Sequence, residues 1–310
     1  MARHRRRAGR AINGWLNVDK PVGITSAACV ERVREITEAS KLGHAGTLDP
    51  LASGVLPIAL GEATKLMPYL LDAPKEYRFT VKWGERRSTD DAEGEIVETC
   101  DLRPTTAAIA AALPDFLGEI MQVPPAYSAI KIGGKRAYAL ARAGEVVELE
   151  ARPVRIDSIE LLGASEPDRA ELYVVCRKGA YMRSLARDLA ARLGTCGHLL
   201  RLRRSGVGPF REANAISLEL LAHLGHIPGA THQLLPIETA LDDIPALAIS
   251  ARDAARLRRG QAVPVMDGED RQLIREVGDE GIVLAKQAAT PVALARVDGI
   301  QIRPVRVLNV

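Results

Sequence analysis

The chain lacks most of the signatures that announce a familiar chemistry. No apolar run reaches the roughly 18 residues that suggest a membrane-spanning helix. The four cysteines, Cys29, Cys100, Cys176 and Cys196, form no C-x-x-C pair and no compact cluster. A zinc site is therefore not expected, and a reducing, cytoplasmic setting is the simplest reading. There is no Walker loop, no G-x-G-x-x-G following a strand and no H-E-x-x-H. No internal repeat is visible, and the only low-complexity stretch is the arginine-rich start. A formal net charge of +3 does not by itself announce a nucleic-acid binder.

What is present is enough for a large core. Of the 310 residues, 47% are hydrophobic, which suits one large domain or one large and one small. Positive charge is clustered rather than abundant. Five arginines fall in the first ten residues, and further basic groups lie at Arg201-Leu202-Arg203-Arg204 and from Arg252 to Arg259. Such clusters can neutralise phosphates, although each also reads as solvated surface. Residues 1–11 are expected to form a disordered basic tail. That tail lacks the apolar stretch of a secretory signal.

Periodicity predicts mixed, non-repeating strands and helices, hence an α+β core. Gly14 to Val18 reads as a strand, and Ser26 as the N-cap of a helix with Val30, Val33 and Ile36 at helical spacing. Tyr77 to Trp83 alternates cleanly, with Tyr77, Phe79, Val81 and Trp83 on one face. Thr89 to Gly94 is a polar turn. Residues 124–150 look inserted: Tyr127 to Ile132 strand-like, Gly133-Gly134 turning, Lys135 to Ala143 helical. Val154 to Leu162 and Leu172 to Cys176 read as strands, and Tyr181 to Leu193 as a helix. Pro236 to Pro245 reads as a linker, and from Ile249 on short strand patterns lie around Gly281 to Lys286 and Pro291 to Val297.

The most specific stretch runs Gly43-His44-Ala45-Gly46-Thr47-Leu48-Asp49-Pro50-Leu51-Ala52-Ser53-Gly54-Val55-Leu56-Pro57. Pro50 pushes Asp49 away from helical backbone, and the glycines allow shapes that other residues resist. Asp49 is thus presented by a stiffened loop. From composition alone, an Asp-Pro turn using the carboxylate as a local acceptor is the favoured reading. The whole run, however, resembles the catalytic motif of the TruB-type tRNA pseudouridine synthases. Asn17-Val18-Asp19-Lys20-Pro21, Lys75-Glu76-Tyr77-Arg78 and Lys178-Gly179-Ala180-Tyr181-Met182-Arg183 resemble three further motifs of that family. Ala45 departs from its more usual threonine.

The resemblance implies an isomerase that converts uridine to pseudouridine at position 55 in the T-loop of tRNA, with no cofactor and no metal. It makes Asp49, Tyr77 and Arg183 catalytic. Asp49 would be the carboxylate, Arg183 its cation, and Tyr77 a packing partner of the base that assists proton removal from C5. Without the resemblance Tyr77 reads as core, and Arg183 as an ordinary ion pair. The family also assigns His44, Lys20, Tyr181 and Leu202 to the substrate pocket, with Lys20 ordering the loops or meeting phosphate. Lys131, Lys135, Arg136 and Arg142 suit an RNA-gripping insertion. The implied fold is a mixed, largely antiparallel pseudouridine synthase sheet with flanking helices. A small C-terminal PUA-like β-barrel is added to it. The implied boundaries are 1–11, 12–245 and 246–310, and a chain ending near residue 244 is expected to keep the chemistry. The expected partner is the tRNA T-stem-loop, with no guide RNA and no membrane, and a monomer. A tRNA-folding protein and a guide-RNA-dependent synthase remain competing readings.

Overall fold

The computed structural model describes residues 9–310 apart from 129, 146, 148, 165, 226–232 and 267. The side chains of Lys131, Ile132, Arg136 and Arg142 also fall outside the description. Alternation in Lys75–Trp83 does produce a one-sided strand. Tyr77, Phe79, Val81 and Trp83 are all buried in one core cluster. This strand lies inside a ten-stranded sheet. Its neighbours are Gly197–Val207 on one side and Arg169–Cys176 on the other, both antiparallel. Gly197–Val207 then pairs in parallel with Ala52–Leu60, which pairs antiparallel with Gly14–Lys20. The far edge is formed by Arg152–Gly163 and Gly118–Gln122. The sheet is thus mixed and mostly antiparallel, as expected.

Helix Met182–Arg192 covers one face. Met182, Leu185, Ala186, Leu189 and Ala190 recur at helical spacing and are buried in the same cluster as the tyrosine strand. Helix Ser26–Thr37 packs Cys29, Val30 and Val33 into a second cluster with Val18 and Leu56. Its N-cap differs from expectation. Thr25 accepts from Ala28 N at 3.0 Å, which frees Ser26 to turn inward.

Other differences have local causes. Among the described residues of 124–150, Lys131–Ile132 pairs as a strand with Lys135–Arg136, and the helix is Ala137–Arg142. Tyr127 and Ser128 lie in a loop, where the Tyr127 carbonyl accepts from a distant arginine. Residues 1–8 of the basic tail lie outside the described residues. Arg10 is held, because its N–H donates to Glu38 O at 2.7 Å and its carbonyl accepts from Ser40 N at 3.0 Å.

The C-terminal region forms both expected strands, as Ile282–Gln287 and Thr290–Asp298, and adds two helices that were not expected, Ala251–Arg258 and Gly268–Val277. Arginines mask the apolar pair Ala254 and Leu257 that buries the first. Before, between and after the helices run the strands of a five-stranded curled sheet, in the order Ala246–Ala248, Ile282–Gln287, Thr290–Asp298, Gln301–Val307, Val263–Pro264. The run from Pro236 to Pro245 is not a free linker. Ile237, Ala240 and Leu241 form a short 3-10 turn buried with Trp15, whose indole donates to Ile237 O at 2.9 Å. The same apolar cluster takes in Leu284, Leu294 and Leu308 from the C-terminal sheet. Prolines signalled a boundary, but the apolar residues between them decided the packing. All four cysteines are free, and no helix among the described residues is long and apolar enough to cross a membrane.

Candidate active site

Asp49 sits in the turn between strands Leu42–His44 and Ala52–Leu60, which pair antiparallel. The turn is fastened from two directions. Ser26 Oγ accepts from Leu48 N at 2.8 Å and donates to Leu48 O at 3.0 Å. Ala52 N donates to Asp49 O and Gly23 N to Pro50 O. Gly54 is obligatory here: at φ 103°, an added Cβ would lie 2.2 Å from the carbonyl oxygen of Arg204 on the neighbouring strand.

Helix Met182–Arg192 brings Arg183 to this turn. Its Nη2 stands 3.0 Å from Asp49 Oδ2, and its Nη1 stands 3.5 Å from Asp91 Oδ2. The guanidinium also donates to Thr89 O and Tyr127 O. Two carboxylates and two carbonyls thus fix a side chain that is only 5% exposed. Asp91, itself buried, accepts from Thr89 Oγ1 and from Glu93 N. Asp49 is 37% open to the cleft on its side chain. The surrounding protein pushes its pKa up, and the Arg183 charge and hydrogen bond pull it back.

A cleft of about 280 Å³ opens above Asp49, near the lower limit of roughly 300 Å³ for small-molecule pockets. Asp49, Tyr77, Tyr181, Arg183 and Leu202 all line it. Tyr181 is held by its own backbone, which exchanges hydrogen bonds with the Gln122 amide. Burial pushes the Tyr77 phenol up, and Arg204 works against that rise.

Two expected pocket residues are elsewhere. Lys20 is 0% exposed, and its ammonium donates to Pro21 O and Ile24 O at 2.8 Å. Direct contact with phosphate is incompatible with that burial. His44 is part-buried beside the turn rather than lining the cleft, and burial lowers its pKa. Lys135 is exposed on the insertion, whereas the side chains of Lys131, Arg136 and Arg142 lie outside the described residues. The sequence reading missed three groups. Asp91 was hidden in a polar turn. Lys75 and Arg204 were read only as parts of a motif and a basic cluster, yet both are buried and line the cleft.

Solved structures share this fold. An H/ACA ribonucleoprotein bound to a substrate RNA containing 2′-deoxyuridine matches with TM-score 0.73 and 24% identity, covering 96% of this chain and 85% of that one. A Cbf5-Nop10-Gar1 complex matches with TM-score 0.72 and 28% identity, covering 95% and 84%. Residues 34–182 match the profile of the TruB family pseudouridylate synthase N-terminal domain, and residues 183–242 that of the tRNA pseudouridylate synthase B C-terminal domain. The tRNA pseudouridine synthase B of Rhodospirillum rubrum is 51% identical over 98% of this chain and 99% of its own length. That of Gluconacetobacter diazotrophicus is 50% identical over 98% and 100%. Fold and site together define a pseudouridine synthase, an isomerase that acts on uridine within RNA. Within that class, the chain belongs to the TruB family of pseudouridylate synthases.

Proposed function

We propose that this synthase acts on the uridine at position 55 in the T-loop of tRNA, with Asp49 as the carboxylate that detaches and rejoins the base. The observation that carries the reading is the 3.0 Å ion pair between Asp49 and the buried Arg183, at the floor of a base-sized cleft. The reaction breaks the bond from ribose C1′ to N1 and forms one from C1′ to C5. The hydrogen on C5 is lost and N1 gains one, so nothing is oxidised. An ionised carboxylate serves this chemistry as nucleophile or as base. Attack at C6, attack at C1′ and elimination through a glycal all use it. Tyr77, on the cleft wall beside Asp49, packs against the base and accepts the proton from C5. Relatives about 50% identical along the whole chain carry the name tRNA pseudouridine synthase B, which supports tRNA as the substrate.

A uridine in a folded T-loop must be extruded, at a cost of a few kcal/mol. Contacts outside the cleft offset that cost. Lys131, Lys135, Arg136 and Arg142 on the insertion supply phosphate contacts. The curled C-terminal sheet acts as a PUA-like RNA-binding unit. In this reading the enzyme works as a monomer in the cytoplasm, without a guide RNA. Incubating purified protein with unmodified tRNA and mapping pseudouridine at single-nucleotide resolution tests the reading. Modification confined to position 55, with the isolated T-stem-loop also a substrate, is expected. Modification elsewhere only, or only when a guide RNA is added, would refute it.

A further inference from the structure

Arg204 lies on the central strand directly opposite Tyr77, and both side chains line the cleft. It is 1% exposed. Burying a guanidinium is costly unless an anion compensates its charge. The adjacent Arg203 finds that compensation, at 3.0 Å from Asp19 and 2.8 Å from Glu212. Arg204 makes no ion pair among the described residues. Its Nε donates to Val55 O at 2.7 Å and its Nη2 to Gly46 O at 3.3 Å. Those two carbonyls fix the plane of the cation without neutralising it. Gly46 completes the seat: at φ 85°, a Cβ there would stand 3.3 Å from Arg204 Nη1. An unneutralised buried cation held this firmly beside a cleft is more readily explained by function than by stability.

The charged and titratable groups around the Tyr77–Arg204 pair come from every neighbouring element. Lys75 lies on the tyrosine strand, Cys176 on the next strand and Asp49 on its turn; Lys20 and His44 also feel the Arg204 charge. Burial holds Cys176 as a thiol, at about 12. Asp49 disfavours a second negative charge on Tyr77. Arg204 opposes both burial and Asp49 by its positive charge, although the net shift of Tyr77 is upward.

We propose that Arg204 is a positioning residue for Tyr77: it holds a fixed positive charge beside the phenol oxygen, favours the phenolate, and so enables Tyr77 to take the proton from C5. The inference rests on the reading above of Tyr77 as that acceptor. Once C5 has joined C1′, C5 still carries its hydrogen. Tyr77 first gives its O–H proton to water, leaving a phenolate beside Arg204; the C5–H bond then breaks and an O–H bond re-forms at Tyr77 Oη. The released electron pair becomes the C5–C6 double bond. It displaces the C6–N1 π pair onto N1, which takes a proton from water; if Asp49 is bonded to C6, it displaces that carboxylate instead. Tyr77 is then a neutral phenol again, and because it gave one proton to water while N1 gained one, the cycle is proton-neutral.

The test is single-turnover kinetics on T-stem-loop RNA carrying hydrogen or deuterium at C5 of the target uridine. Wild type, Arg204→Met, Arg204→Lys, Tyr77→Phe and the Arg204→Met/Tyr77→Phe double variant are compared, with thermal unfolding of each. Arg204→Met is expected to slow turnover roughly ten- to hundredfold, within the range of proton-transfer catalysis. It is also expected to raise the deuterium isotope effect above that of wild type, and Arg204→Lys to rescue it in part. Adding Arg204→Met to Tyr77→Phe is expected to change little. An unchanged isotope effect in a folded Arg204→Met protein, or independent losses that multiply in the double variant, would overturn the inference. If Tyr77→Phe is slow and isotope-sensitive while Arg204→Met acts independently, the reading of Tyr77 stands and only the role of Arg204 fails. Full activity of Tyr77→Phe would remove both.

Discussion

At Asp49 two opposing forces act on one carboxyl group. Burial favours the neutral acid, and Arg183 favours the anion. The net shift is upward, so the group ionises above the usual carboxylate range, and activity that needs the anion is lost as pH falls through that raised value. Arg183→Met removes the opposing force. Its acid limb is expected to move to higher pH, with the single-turnover rate at neutral pH falling; a profile superimposable on wild type would separate Arg183 from the chemistry. Lys75 titrates in the other direction. Burial, with Arg204 nearby, lowers it to about 8. It is a cation below that pH and neutral above it. Affinity for tRNA is therefore expected to weaken as pH rises through about 8, and Lys75→Met to flatten that step in a binding titration. At this scale the sequence was most legible where a long motif named the residue, as for Asp49, Tyr77 and Arg183. It was silent on Asp91 and Arg204, because a polar turn and a basic cluster carry no mark of which side chain turns inward.

Individual elements hold the site through a few side chains. Ser26 makes both of its hydrogen bonds to Leu48, the residue before Asp49, and is 1% exposed. Ser26→Ala leaves the Leu48 N–H and carbonyl without those partners. A loss of about 1–3 kcal/mol is expected in denaturant unfolding. A rate decrease larger than the loss of binding is also expected, because the turn that carries Asp49 loosens. Equal unfolding midpoints would show that the turn does not depend on this anchor. Strands of the main sheet were legible by alternation, as in Tyr77 to Trp83, and helix Met182–Arg192 by its apolar stripe. The cap of the first helix was assigned one residue late because Thr25 and Ser26 are both good caps; only the packing of Leu48 decides between them. Helix Ala251–Arg258 was missed because it is only eight residues long and buries just Ala254 and Leu257, a short apolar face easily overlooked among arginines.

Across the whole molecule, the C-terminal sheet is docked rather than tethered. Leu284, Leu294 and Leu308 share a buried cluster with Trp15, Val55 and Leu66 of the catalytic part. Lys65 Nζ donates to Val307 O at 2.8 Å, and Asn309 N to Glu62 Oε2 at 2.7 Å. Removing residues after 244 would expose that cluster, so the expectation of an undisturbed catalytic core gives way to one of lowered stability. Leu308→Ala isolates the effect. A buried leucine truncated to alanine costs about 2–5 kcal/mol. A lowered Tm is expected, with an unchanged single-turnover rate at saturating T-stem-loop below the transition. An unchanged Tm would mean that the interface contributes little. The boundary near residue 245 was legible from its prolines, but the docking was not, because burial between distant segments leaves no local pattern.

The most direct test of the account is single-turnover pseudouridine formation by Asp49→Asn on unmodified tRNA, read beside its equilibrium binding. The substitution keeps shape and hydrogen-bonding capacity while removing the charge. The account predicts no detectable product, with affinity for tRNA within about tenfold of wild type, or roughly 1.4 kcal/mol. Turnover at the wild-type rate by a variant that binds normally would contradict it.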